Sequence, residues 1–87
     1  MTDEPKIRKA ICDKIMPLFE EWKRAANLTP EESIVIRCKF FDAEMPNETT
    51  IQYILADEFD KSYEFYYRSK IHRIFKRAKR KINKILP

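Results

Sequence analysis

The chain has 87 residues, 44% of them apolar, and a formal net charge of +4. This size is enough for one small domain with a modest core. It contains no glycine, which excludes glycine-rich phosphate loops and argues against tight hairpins, because both use backbone conformations that only glycine adopts cheaply. No apolar run reaches the ~18 residues of a spanning helix, and no apolar signal segment opens the chain. We therefore expect one cytoplasmic, all-α domain covering residues 1–87.

The first predicted helix covers residues 4–26. Its apolar positions follow the 3.6-residue period of an α-helix without a slip; they are Ile7, Ile11, Ile15, Leu18, Trp22 and Ala25. Pro17 falls inside this pattern, and we expect a kink or break at residues 14–16 because proline removes a backbone donor and clashes with the preceding turn. Residues 1–27 are expected to form the N-terminal part of the domain.

The second predicted helix has a strong start signal. Thr29 suits the N-cap, Pro30 the first helical position, and Glu32 completes a capping box. The helix is expected to bury Ile34, Val35, Cys38 and Phe41. Its adjacent acids, Glu31 and Glu32, are expected on an exposed surface. Residues 42–48 follow as a loop that contains the helix breakers Pro46 and Asn47.

The two cysteines are predicted to be reduced core thiols. Cys12 and Cys38 each lie on an apolar helical face, and free cysteine is among the most buried residue types. His72 is the only histidine, so neither a metal site nor any other cofactor is predicted.

The third predicted helix covers residues 49–59 and buries Ile51, Ile54, Leu55 and Phe59. Residues 60–62 read as a short turn in which Asp60 or Ser62 caps the next helix. A fourth helix over residues 63–85 completes an architecture of about four helices.

The charges are segregated along the chain. Residues 65–87 hold nine of the 18 basic residues and none of the 14 acids, so the formal charges are +9 there and −5 over residues 1–64. The same stretch has apolar residues at helical spacing, namely Tyr67, Ile71, Ile74, Ala78, Ile82 and Ile85. A helix with one apolar stripe and a cationic remainder is suited to dock on a core while facing a polyanion. Nucleic acid is the first candidate partner, and a membrane surface is the second.

Helices three and four are predicted to form a helix-turn-helix. The motif places a small residue four positions before the turn residue, and Ala56 and Asp60 have this spacing. Leu55 and Phe59 flank Ala56 as core positions, and Tyr66 is the apolar residue expected to lock the second helix.

The chain also resembles a known family. Residues 28–37 (LTPEESIVIR) look like the opening of the region-4 domain of bacterial sigma factors, where a capped helix supports the helix-turn-helix. The later spacing of Ser62, Tyr66, Tyr67, Arg68 and Lys70 is similar to that of the ArpU-type late-transcription regulators of phages and prophages. The resemblance covers residues 28–82 and implies that residues 28–87 form a sigma-region-4-like helix-turn-helix part of the domain, after the N-terminal helix of residues 1–27. It implies a small helical regulator that binds promoter DNA, alone or alongside RNA polymerase.

Two registers of the fourth helix stay open. The helix-turn-helix motif predicts that Tyr66 is buried. The long apolar stripe, however, begins at Tyr67, which lies about 100° around the helix from Tyr66. The residues Ile74, Arg77, Ala78 and Ile82 also match sigma region 4, but only if about five residues are inserted before them.

The motif register predicts which residues contact DNA. Arg68 suits guanine, and Glu64 suits cytosine, at the start of a helix in the major groove. Base edges are assigned to Tyr63, Glu64, Tyr67 and Arg68, and phosphates to Lys70, His72, Arg73, Lys76, Arg77 and Arg80. Lys61 and Ser62, at the helix start, complete the predicted DNA-binding set.

Other functions stay open. The chain could be an interaction module that binds RNA polymerase or another helical protein through its first two helices, or the DNA-recognition part of a phage packaging machine. Membrane-surface binding by the cationic tail is a further hypothesis. An enzyme is disfavoured because there is no nucleophile–base pair, metal cluster or phosphate loop. The oligomeric state is open, with a homodimer among the options.

Overall fold

The computed structural model describes residues 4–13, 17–41 and 47–86. Within these ranges the chain forms α-helices and no strand, which confirms the all-α fold class. The helices are α1 (Glu4–Asp13), α2 (Pro17–Ala25), α3 (Pro30–Ile36), α4 (Glu48–Glu58) and α5 (Arg68–Ile85). A π-helical segment, Arg37–Phe41, continues α3, and a 3₁₀ helix, Tyr63–Tyr66, precedes α5. The predicted break at residues 14–16 and most of the predicted loop, residues 42–46, lie outside the described residues.

The predicted capping box of α3 is confirmed. The Thr29 hydroxyl accepts a hydrogen bond from the Glu32 amide at 3.1 Å. In return, the Thr29 amide donates to Glu32 Oε1 at 2.8 Å. Pro30 occupies the first turn, where its missing N–H costs nothing. This box fixes the position at which α3 begins and brings the Glu32 side chain back over the helix N-terminus.

The π-helical segment after α3 connects two parts of the core. Its Phe41 ring packs against Phe19 and Trp22 of α2, with centroids 5.1 and 6.0 Å apart. The neighbouring Phe40 ring packs instead against Phe75 of α5, at 5.7 Å. Consecutive aromatic residues thus join α2 and α5 to the end of α3.

Two helices end in the left-handed conformation that glycine usually supplies. Asn27 follows α2 with φ 55°, and Asp60 follows α4 with φ 53°. After α4, the Lys61 amide donates to the Ala56 carbonyl at 2.9 Å, the bond typical of a Schellman motif. A chain without glycine places asparagine and aspartate here, because their short polar side chains tolerate this region best.

The core forms around α5, which packs against α1, α3 and α4. Most of the core predicted for the first three helices is confirmed, including Ile7, Trp22, Val35, Cys38, Ile51 and Leu55. Two expectations for apolar positions of these helices are wrong, and one buried position was not predicted. Cys12 is an exposed thiol, Ala25 is exposed while Ala26 takes its place in the core, and Ile36 is fully buried although the pattern left it out. The side chains of Ile15 and Leu18 lie outside the described residues.

The continuous fourth helix predicted for residues 63–85 is wrong. Tyr67 is extended (φ −70°, ψ 162°) and separates the 3₁₀ helix from α5. Ser62 stands at the N-cap of the 3₁₀ helix but makes no side-chain cap bond, so the side-chain cap predicted from Asp60 or Ser62 is not formed.

The interruption has a physical reason. A continuous α-helix would point Tyr66 about 100° away from the Ile71–Ile74 stripe, so both could not be buried together. With the chain extended at Tyr67, Tyr66 is 0% exposed, Ile71 is 1% exposed and Tyr67 is 47% exposed. The helix therefore starts at Arg68, five residues later than predicted.

Candidate nucleic-acid interface

The helix α5 has one apolar and one basic face. At 18 residues, it is about 27 Å long, given a rise of 1.5 Å per residue. Its buried side chains are Ile71, Ile74, Phe75, Ala78 and Ile82. No acid occurs along its length. The face turned away from the core therefore carries basic side chains along most of its length.

We define the cationic face as the five exposed residues His72, Arg73, Lys76, Arg80 and Lys84. Four of them follow one another at i,i+4 spacing, so their side chains lie in a row along the helix. The guanidinium of Arg73 donates from Nη2 to the Tyr67 hydroxyl at 2.7 Å. In the described parts of the chain, no carboxylate pairs with any of these five side chains.

A buried carboxylate attaches α5 to α3. Glu32 is 0% exposed. Its Oε1 accepts from Lys81 Nζ at 2.7 Å, and its Oε2 accepts from Arg77 Nε at 2.7 Å. Burial alone would raise the Glu32 pKa, but the bonds from Lys81, the Thr29 amide and Arg77 outweigh it and lower the pKa. The expectation that Glu32 lies on an exposed surface is thus wrong. Arg77, a predicted phosphate contact, binds Glu32 while its side chain stays 54% exposed.

The acid next to Glu32 holds the 3₁₀ helix. The hydroxyl of Tyr66, a fully buried side chain, donates to Glu31 Oε2. Burial and the hydrogen bond to Glu31 raise the Tyr66 pKa. Consecutive residues in the first turn of α3 therefore fix both the segment before α5 and α5 itself.

The start of α5 borders an open cleft of about 360 Å³. The cleft is lined by Glu48, Arg68, Ser69, His72 and Arg73. Across it, Arg68 Nε lies 3.0 Å from Glu48 Oε2, at the first residue of α4. Arg68, His72 and Arg73, from the first two turns of α5, thus border the same open region.

The 3₁₀ helix carries aromatic residues that face α4 and nearby cations. Tyr63 stacks on Tyr53 with centroids 4.5 Å apart, and its hydroxyl donates to Gln52 at 3.0 Å. The Phe65 ring lies under two ammonium groups, with Lys61 at 5.1 Å and Lys70 at 3.4 Å from its centroid. Tyr63, a predicted base contact, is thus packed against α4.

The structure places nine of the twelve predicted DNA contacts in two sets. Arg68, His72, Arg73, Lys76 and Arg80 share the exposed side of α5. Lys61, Ser62, Tyr63 and Glu64 belong to the turn and the 3₁₀ helix, ahead of the extended residue Tyr67. Lys70 and Arg77 contact Phe65 and Glu32, respectively.

Two acids near this surface were missed by sequence reasoning. Glu32 was assigned only to its cap, and Glu48 only to the loop before α4. The capping box indicates that the Glu32 side chain turns back toward the Thr29 amide, but no sequence pattern pairs it with α5. Glu48 follows the N-cap Asn47 and is the first residue of α4, but no sequence pattern pairs it with Arg68.

The fold and surface define a small all-α protein that exposes a cationic helix. Comparison with models of known protein families, with curated proteins and with solved structures found no match. The resemblance to sigma region 4 and to ArpU-type regulators therefore stays a prediction. In the described ranges, no group of three His, Cys, Asp or Glu side chains is placed to hold a metal ion. Nor does any helix there combine the length and apolarity needed to cross a membrane.

Proposed function

We propose that this protein binds double-stranded DNA by placing α5 in the major groove, and that it acts at promoters as a small phage or prophage transcription regulator. The observation that carries the proposal is the cationic face, an exposed row of basic side chains without carboxylate partners in the described structure. The major groove admits an α-helix. A helix about 27 Å long reaches across the groove to phosphates on both sides.

Electrostatics favours a polyanionic partner for this face. Each like-charged pair at i,i+4 spacing destabilises a helix by about 0.2–0.5 kcal/mol. Lys76, Arg80 and Lys84 form two such pairs in a row. Phosphates relieve this repulsion and release condensed counterions, which supplies affinity. DNA therefore stabilises a surface that costs free energy in the unbound protein.

The buried apolar stripe disfavours a membrane surface. An amphipathic helix binds at a membrane interface through an exposed apolar face. In α5 that face is already used in the core, because Ala78 and Ile82 are 0% exposed and Ile74 is 4% exposed.

The start at Arg68 suggests which residues read the DNA. In helix-turn-helix proteins the first turns of the second helix contact base edges. With α5 in that role, Arg68, His72 and Arg73 face the bases from the open cleft. Lys76, Arg80 and Lys84 then contact phosphates, which position the protein without reading sequence. This arrangement corresponds to the register with about five inserted residues, and it leaves Tyr63 and Glu64 outside the groove.

A selection from random duplexes, carried out at low and at high salt, tests the proposal. We expect one motif to be enriched at both salt concentrations, with weaker total binding at high salt. Duplex binding without enrichment of any sequence motif would indicate a general polyanion binder and contradict the regulator assignment. No binding at either salt concentration would refute the proposal.

Two exposed aromatic side chains favour a second function, the binding of a protein such as RNA polymerase. Tyr53 and Phe65 are 59% and 40% exposed and lie outside α5, and exposed aromatic residues are enriched at protein interfaces. A complex with purified RNA polymerase in the absence of DNA, lost in Tyr53→Ala and Phe65→Ala variants, would support this function. A complex unaffected by both substitutions would contradict it.

A further inference from the structure

The open cleft at the start of α5 lies between two helix N-termini. Asn47 caps α4 by accepting from the Thr50 amide at 2.9 Å, which fixes Glu48 as the first residue of that helix. Arg68 is the first residue of α5, directly after the extended Tyr67. Both side chains of the Glu48–Arg68 pair therefore start from defined backbone positions rather than from a loop.

The ion pair uses only one edge of the guanidinium. Arg68 Nε faces Glu48 Oε2 at 3.0 Å, and the Arg68 side chain is 75% exposed. In the described structure no other partner contacts Arg68. Arginine presents five N–H donors in a planar fork. With Nε beside the carboxylate, the two terminal nitrogens have no partner in the described structure and remain as a pair of donors.

A pair of parallel donors matches one base edge in the major groove. Guanine presents O6 and N7 as adjacent acceptors, and bidentate arginine is the commonest specific contact to them. The other bases lack this pair of acceptors in the major groove. A guanidinium whose Nε lies beside a carboxylate therefore keeps its recognition edge free for this contact.

The exposed ion pair adds little to folding stability, because both groups are solvated and screened. Its consequence is instead to favour one orientation of a long, flexible side chain. Restricting a side chain before binding lowers the entropic cost of forming the contact.

We propose that Arg68 and Glu48 form a guanine-recognition site, in which Arg68 contacts the base and Glu48 is a positioning residue. This inference rests on the proposed function, because it requires α5 to lie in the major groove. It adds that the preferred DNA site contains a guanine opposite the start of α5, and that a carboxylate on α4 determines how strictly that guanine is required.

The charge of Glu48 gives the inference a distinctive signature. A carboxylate near DNA repels the phosphates, so its removal strengthens binding to any duplex. Its removal also frees the Arg68 fork and weakens the preference for guanine. Glu48→Gln is therefore expected to shift affinity and specificity in opposite directions, whereas a purely structural role predicts no change in the preference.

The test measures dissociation constants of the full chain for the duplex enriched by selection and for duplexes changed at each guanine. For the wild-type protein we expect a preference of about tenfold or more at one guanine. Arg68→Ala should abolish that preference, while the cationic face maintains binding. Glu48→Gln should reduce the preference by about two- to fivefold and raise affinity for an unrelated duplex. Glu58→Gln, which removes the same charge from the other end of α4, should leave the preference unchanged.

Three results would overturn the inference. If Arg68→Ala keeps the wild-type preference at every guanine, Arg68 is not the reader. If Glu48→Gln and Glu58→Gln show the same preference for guanine, Glu48 does not position Arg68. If the wild-type protein binds no duplex, the proposed function fails and this inference fails with it, a result distinguishable from the other two because no variant is needed to see it.

Discussion

Replacing Glu32 with glutamine removes one buried negative charge while keeping the size of the side chain. The carboxylate is 0% exposed and accepts from Lys81 Nζ and Arg77 Nε, both at 2.7 Å. Glutamine retains one acceptor oxygen but turns an amide donor toward one of the two cations. We expect the attachment of α5 to α3 to weaken, and the free energy of unfolding to fall.

The size of this loss follows from the contacts. Each hydrogen bond to a charged group contributes about 1.5–3 kcal/mol, and two such bonds are lost or weakened. Two effects reduce the loss. Glutamine avoids the cost of burying a charge, and the Arg77 and Lys81 side chains, 54% and 32% exposed, can return to water. We therefore expect a net destabilisation of about 2 kcal/mol, or a decrease in Tm of roughly 8–16 °C for a domain of this size.

Urea unfolding at neutral pH measures the effect directly. Trp22 is the only tryptophan and is 3% exposed, so its fluorescence reports loss of the core. The matched control is Glu20→Gln, because Glu20 is 65% exposed and pairs only loosely with Lys23, at 3.5 Å. This control should change stability by less than about 0.5 kcal/mol. Equal unfolding midpoints for the two variants would refute the role of Glu32.

Three further predictions concern stability. The pKa of Glu32 in the folded state is below its usual value of 4.5, so the stabilisation by Glu32 is complete above pH 4.5 and is lost as the pH falls through the folded-state pKa. The stability difference between wild type and Glu32→Gln should therefore shrink on acidification. A difference that stays constant with pH would contradict this dependence on the Glu32 charge. Tyr66→Phe removes the hydrogen bond to Glu31 and should cost about 1 kcal/mol in thermal unfolding; an unchanged Tm would show that the bond contributes nothing. Asp60→Gly should stabilise by roughly 0.5 kcal/mol, because φ there is 53° and glycine adopts it without strain. The same change at Asp57, inside α4, should destabilise by about 1 kcal/mol, and a loss of stability in both variants would contradict the account.

Local rules predicted the parts of the fold that depend on neighbouring residues. Thr29, Pro30 and Glu32 lie within one turn, and their capping box could be read from spacing alone. The turn at Asp60 was likewise predictable, because helix termination depends on the backbone preferences of a few residues. The all-α class followed from apolar periodicity, which is sampled over many residues.

Contacts between distant residues could not be predicted. Glu32 binds Arg77 and Lys81, which are 45 and 49 positions away in the chain, and no local pattern pairs them. The interruption of the helix at Tyr67 could be predicted only in part. The angular conflict between Tyr66 and the apolar stripe was visible in the sequence. However, whether the chain buries one set or breaks the helix to bury both depends on packing against α3.

The measurement that tests the central claim most directly is the salt dependence of duplex binding. Each phosphate contact adds about −0.9 to the slope of log K against log salt concentration. Lys76→Gln/Arg80→Gln, on the cationic face, should therefore flatten the slope by about 2 relative to wild type. The control double variant Lys6→Gln/Arg24→Gln removes the same charge from exposed positions of α1 and α2, and its slope should match wild type. Equal slopes for both double variants would contradict DNA binding through α5.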